Sequence, residues 1–280
     1  MYALNAISKK PAKRKKTRVK TIIRSLIAIV LIGVIAYCAY MLYDYYSDVA
    51  AENAIHDQLI GFKPSLPSQL PTTAPDGSKP PYTNQGIVDL QKKHPDAVGW
   101  IEIPNTKIDY PFVQSAKDRK NGVGKNSEDE YLRKDINKDY LYAGTLFMDS
   151  RNERDLSDFN TIIYGHNMKS DSMFGTLRYF KQQSFFDTNK TGTIFTDHRV
   201  YTLEIFAFLE CNDDDWVIYN PKIDNEKDRT AFLTHVKKLA KSHYRDIGVT
   251  NSDHLVTLST CAYDFKGARM VLVGRLKAMI

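Results

Sequence analysis

Cysteine is scarce in this chain: three in 280 residues, an odd number too small for a disulfide framework. Such sparing use fits a protein outside the cytosol, where a lone thiol needs a reason to be kept. Gly (14) and Pro (11) are too few for a fibrous or wholly disordered chain. Hydrophobic residues at 42% and charged residues at 26% are ordinary globular usage, and the length suggests one or two domains. What remains is a formal charge of +6, which invites a nucleic-acid reading until it is located.

Acid is absent where base is dense. Residues 1–24 carry nine Lys and Arg and no Asp or Glu, so the remainder holds 30 basic against 33 acidic residues, a net of −3. The basic excess therefore belongs to one end, and no nucleic-acid partner is expected. Ser25 to Tyr43 then runs for nineteen residues without a charge. As a helix it spans roughly 28 Å, the thickness of a bilayer's hydrocarbon. Basic residues before it and Asp44 and Asp48 after it orient the N-terminus to the cytoplasm and the rest outside the cell. Tyr37, Tyr40 and Tyr43 suit the outer interface. The apolar run is longer than a signal-peptide core, and Tyr37 before Cys38 does not suit lipidation, so a retained single-pass anchor is expected at 25–43.

Residues 44–60 can form a short helix leaving the membrane. Six of the eleven prolines follow (Pro64, Pro67, Pro71, Pro75, Pro80 and Pro81), so 44–85 reads as a stalk and extended spacer. Residues 86–280 are enough for one domain with a real core. Trp100-Ile101-Glu102-Ile103 and Ile108-Asp109-Tyr110 alternate around a Pro104-Asn105 turn. Short strands are also expected at 144–148, 161–164, 192–195 and 201–209, with a closing hairpin of 254–261 and 269–276. Phe232, Val236, Leu239 and Ala240 mark a helix within 225–243, with Asp228 as a candidate cap. Many strands and few helices argue for a mainly β barrel or sandwich.

Cys261 ends the alternating strand Leu255–Cys261, with Ser259 on its face by strand parity. The hairpin brings Arg269 to the same end, whereas Arg275 lies about 20 Å away at ~3.3 Å per residue. A thiol needs a neighbouring imidazole or guanidinium to become a good nucleophile at neutral pH. His254 is seven residues down the same strand, His235 and His243 read as helix surface, His56 belongs to the stalk, and His94 and His198 stand in polar loops. His166 differs, since it follows the apolar strand Thr161–Tyr164 and Gly165, a strand-to-loop exit of the kind that carries function. On composition and spacing alone, Cys261 reads either as a nucleophile or as a small core residue. Cys211 ends an apolar strand and reads as core. Asp213, Asp214 and Asp215 lack a metal-ligand spacing and read as a solvated loop, and no cofactor is expected.

Thr257-Leu258-Ser259-Thr260-Cys261 with Arg269 resembles the catalytic signature of sortases, and Asn160 to Met168 resembles the histidine motif of that family. The details are most similar to class B: Gly99-Trp100-Ile101, Ile108 to Pro111 with Val113-Gln114, and Gly144 to Asp149. The resemblance covers roughly 86–280. It implies a closed eight-stranded β-barrel with added helices, and a cysteine transpeptidase that cleaves a C-terminal sorting signal after Thr. On this resemblance Cys261 is the nucleophile, His166 the acid and base, and Arg269 the oxyanion or backbone partner, while Tyr164, Ser259 and Leu132 match positions lining the substrate groove. Some class B enzymes have an acid two positions after the Cys; Tyr263 stands there here, so no such role carries over. The implied partners are secreted proteins bearing the signal and a peptidoglycan cross-bridge amine. A pilin polymerase using a Lys acceptor, and a catalytically silent membrane-tethered binding protein, remain the alternatives.

Overall fold

The computed structural model describes residues 13–66, 82–117, 130–262 and 267–279. Residues 1–12 of the basic head, spacer prolines Pro67, Pro71, Pro75, Pro80 and Pro81, and Tyr263, Asp264, Phe265 and Lys266 lie outside the described residues. The chain divides into two units, 1–50 and 51–280. In the first, helix α1 (Lys13–Leu59) exposes Leu26, Ile29, Val30, Ile32 and Ile35. It is long and apolar enough to cross a membrane. An apolar surface with no protein partner is what hydrocarbon accepts and water does not.

The second unit begins inside α1, earlier than the Gly86 boundary expected from sequence. Ile55, Leu59 and Phe62 pack in one apolar cluster with Ile87 and Leu90 of α2 (Gln85–Lys93) and with Trp100. The end of the segment expected as stalk thus belongs to the globular unit, because its apolar side chains find a buried partner there. Glu52 is buried beside them.

Eight strands close the barrel: β1 (Ala97–Glu102), β2 (Asp109–Val113), β3 (Leu146–Met148), β4 (Asn160–Tyr164), β5 (Thr191–Thr196), β6 (Val200–Asn212), β7 (His254–Cys261) and β8 (Ala268–Ala278). Their order is β1-β2-β3-β4-β7-β8-β6-β5. The β2/β3 and β4/β7 pairs are parallel and the others antiparallel. Closure removes every sheet edge. Period-2 alternation sorts the two faces. Val256, Leu258, Met270 and Leu272 join the interior cluster, while Leu255, Val271 and Val273 face outward into a second one.

That outer cluster is covered by α4 (Glu226–Ala240), which buries Phe232, Val236 and Ala240. Burying Phe232 and Val236 contributes roughly 1.5–3 kcal/mol each, which outweighs what intrinsic propensity gives a helix this short. The cap is Asn225, whose side chain accepts from the Asp228 N–H at 2.9 Å; Asp228, expected as the cap, lies in the first turn. There its carboxylate complements the helix dipole. A short helix α3 (Gln183–Thr188) precedes β5. Strand β3 starts two residues later than expected because Gly144 occupies a turn at φ 63°.

Candidate active site

Backbone register gathers the chemistry at one end of β4, β7 and β8. Tyr164 pairs with Ser259 across the parallel β4/β7 ladder, and the Gly165 N–H donates to the Ser259 carbonyl at 3.1 Å. Two residues further on, β4 exits at His166 and β7 reaches Cys261. Across the antiparallel β7/β8 pair, Cys261 stands directly opposite Arg269. Parallel strands run out toward the same end of the sheet, so the β4 exit at His166 and the end of β7 at Cys261 share that end. Gly165 is required at this exit, because a Cβ there would sit 2.4 Å from Leu146 and 2.8 Å from Phe174.

The half-buried His166 ring is held by neighbours from the segment before β3. Its Nε2 lies 2.6 Å from the Leu132 carbonyl. A carbonyl only accepts, so Nε2 carries the hydrogen and Nδ1 is left for proton exchange. The ring stacks on Tyr142 at 6.3 Å and 11° between planes, and the Arg133 guanidinium lies over the Tyr142 ring at 5.0 Å. Burial pushes the imidazole below its ordinary value, the Leu132 hydrogen bond opposes this, and the Arg133 charge acts with burial.

Arg269 donates to the Ala268 carbonyl at 3.1 Å and pairs with Asp213 at 3.2 Å. Asp213 is half exposed, and rim pairs of this kind are worth ~1 kcal/mol or less, so the guanidinium can be given up to another acceptor. Cys211, on β6, flanks Arg269 from the other side. It is buried, and burial pushes its thiol up to about 12, which leaves it a core residue at neutral pH.

Behind the strand ends is a polar network that the sequence did not reveal. Asp149, 1% exposed, takes a two-pronged contact from Arg151 at 2.9 and 2.7 Å and accepts the Tyr164 hydroxyl at 3.0 Å. Arg151 also reaches the Tyr219 carbonyl at 3.2 Å. The Tyr219 ring stacks on Tyr164, and its hydroxyl lies 2.8 Å from Ser259 Oγ. Burial raises both phenols, so they stay neutral. Tyr164 and Ser259 are thus brought together, while Leu132 turns an exposed side chain outward and gives its carbonyl to His166.

The other histidines fall away from this end or are occupied. His254 pairs with Leu276 at the far end of β7, and Arg275 pairs with Glu204. His235 and His243, expected as surface, are partly buried. His235 contacts Asp215 at 2.8 Å, and His243 sits between Phe186 and Phe208 with the Lys181 carbonyl at 3.0 Å. His94 is buried at the end of α2, and His56 reaches the Asp109 carbonyl at 3.2 Å. Of the three consecutive acids, Asp213 binds Arg269 and Asp215 caps the turn at Val217. Among the described residues no group of three His, Cys, Asp or Glu side chains could hold a metal ion.

The closed barrel thus carries a cysteine, a histidine and an arginine at the same ends of β7, β4 and β8, residue types suited to thiol-based acyl transfer. Residues 101–277 match the Sortase domain model. The chain is 36% identical over 190 residues to the sortase B of Listeria monocytogenes, covering 67% of this chain and 72% of that one. It is 32% identical over 189 residues to the sortase B of Staphylococcus aureus, with the same coverage. The crystal structure of Clostridium perfringens sortase B superposes with a TM-score of 0.60 at 33% identity, covering 68% of this chain and 98% of that one. The chain belongs to the sortase family and groups with its class B members, the cysteine transpeptidases of cell-wall attachment.

Proposed function

We propose that Cys261 is the nucleophile, His166 the general acid and base, and Arg269 the electrostatic partner of a transpeptidase that cleaves a sorting signal after Thr. The observation that carries this reading is the register: Cys261 opposite Arg269, with Cys261 and His166 each two residues past the matched Ser259 and Tyr164 of β7 and β4. The Cys261 thiolate attacks the Thr carbonyl, and the carbonyl π electrons move to oxygen, where Arg269 offsets the charge. Collapse breaks the C–N bond, and the leaving amine takes its proton from His166. An incoming amine then attacks the thioester, gives a proton to His166 and displaces the thiolate. The thiol and imidazole titrate as a coupled pair.

Tyr164, Ser259 and the Leu132 segment would border the bound signal. Related proteins support a peptide ligand and an amine acceptor: the Staphylococcus aureus sortase B is solved as a substrate complex, and a sortase B is solved in complex with triglycine. On this reading residues 1–24 are a cytoplasmic head, 25–43 the anchor, 44–85 the stalk and spacer, and 86–280 the catalytic portion, supplemented by the packed end of α1. The anchor would hold the enzyme outside the membrane, where signal-bearing proteins emerge, and so raise their effective concentration.

The test is the full chain in detergent micelles with a library of sorting-signal peptides, with and without a peptidoglycan-type amine. Cleavage after Thr, and amide product only when amine is present, are expected. Amide formation with an added Lys-bearing acceptor peptide but not with the peptidoglycan-type amine would favour the pilin reading, and no turnover of any peptide would favour a binding role.

A further inference from the structure

The arrangement around His166 contains more than the proposed reaction requires. The ring could be held by its own strand exit, yet a separate segment supplies two contacts to it and a third that backs one of them. Leu132 gives a carbonyl to Nε2, Tyr142 stacks on the ring, and Arg133 lies over Tyr142. A bridge between Lys134 and Tyr140, with Leu141 N–H donating to the Arg133 carbonyl at 3.1 Å, folds 131–142 back on itself and so brings Arg133 and Tyr142 together. Tyr142 is 43% exposed, so core packing does not account for its place.

We infer that Arg133 and Tyr142 are positioning residues for His166: they hold the imidazole in one orientation, with the Nε2 hydrogen committed to the Leu132 carbonyl and Nδ1 left to carry the proton of the reaction. This rests on the reading of His166 as the acid and base. Stacking fixes the ring plane, and the carbonyl fixes the tautomer. The guanidinium adds a charge that opposes imidazolium when no substrate is bound, which makes the protonated ring a stronger acid toward the leaving amine. Among the described residues, the other ionisable groups at this end include Cys261 and Arg269 on β7 and β8, Cys211 on β6, Asp213 paired with Arg269, the Tyr164 and Tyr219 phenols, and Asp149 and Arg151 paired behind Tyr164. Among the described side chains, Arg133 alone shifts the His166 imidazole through its charge.

The test is a histidine titration by NMR on the full chain in micelles, in a Cys261→Ala background that removes the coupled thiol. His166→Ala assigns the resonance. The expected neutral form carries hydrogen on Nε2. Arg133→Gln raises the titration midpoint, and Arg133→Lys leaves it near wild type. With Cys261 restored, Tyr142→Ala lowers kcat on the order of tenfold with KM little changed. A neutral form protonated on Nδ1, or a midpoint unmoved by Arg133→Gln, overturns the inference. Full activity in His166→Ala overturns the acid–base reading of His166 instead, and the titration tells the two apart.

Discussion

Gly144 is the position where one added methyl group would reach the site through the backbone. Its φ of 63° belongs to the left-handed region, which costs an L residue about 1 kcal/mol. A Cβ there would lie 2.4 Å from the Leu132 carbonyl oxygen and 2.7 Å from that of Tyr131. Ordinary contact is roughly 3.5 Å, so one chain or the other must move by about 1 Å. Overpacking of this kind costs about 1–3 kcal/mol, and here both atoms are backbone, with no flexible tip to yield. Gly144→Ala should therefore lose about 2–4 kcal/mol, or about 5–15 °C in Tm at 2–4 °C per kcal/mol for a domain of this size. The group pushed aside is the carbonyl that accepts from His166 Nε2, so kcat should fall more than KM rises. The assay pairs thermal unfolding with peptide turnover measured well below the lowered Tm. A variant within about 0.5 kcal/mol of wild type and fully active would refute the reasoning.

Two further outcomes follow from the surrounding network. Asp149→Ala removes a buried carboxylate from Arg151 and strands the Tyr164 hydroxyl; Arg151 is 43% exposed and can be hydrated, so the loss is set near ~3 kcal/mol, the low end for a broken buried pair. Asp149→Asn keeps an acceptor for Tyr164 and should recover part of it, and equal stability of the alanine variant and wild type in denaturant melts would contradict this. His94 and His166 are both held by burial below the ordinary imidazole value of 6.5. The unfolded chain then binds protons more readily, so their contribution is intact above about pH 7 and is lost as pH falls through about 6.5 toward the folded values. Denaturant midpoints from about pH 7.5 to about pH 5 should decline, His94→Gln should flatten the decline, and a midpoint constant over that range would contradict the account.

Much of the fold was legible because alternation is a local signal. Leu255 to Leu258 declares a strand, and a Cys at its end followed by an Arg across a short turn declares a shared end. The helix at 226–240 declares itself by Phe232 and Val236. The site's supports were not legible, for three physical reasons. The Leu132 carbonyl is a backbone group and has no residue signature. Asp149 and Arg151 are two residues apart in a turn, and only burial of the carboxylate makes them a clamp for Tyr164. His235 lies on the polar side of its helix by periodicity, and its partner Asp215 is twenty residues away in sequence. The packed end of α1 was read as stalk for the related reason that its apolar partners on α2 and β1 are distant in sequence.

The central claim is that an acyl group passes through Cys261. It is tested most directly by intact-mass measurement of the full chain in micelles after mixing with a sorting-signal peptide. The account predicts a mass increase equal to the peptide fragment ending at Thr, mapped to Cys261, discharged by added amine as an amide and absent in Cys261→Ala. An adduct on another residue, or unchanged turnover in Cys261→Ala, would contradict it.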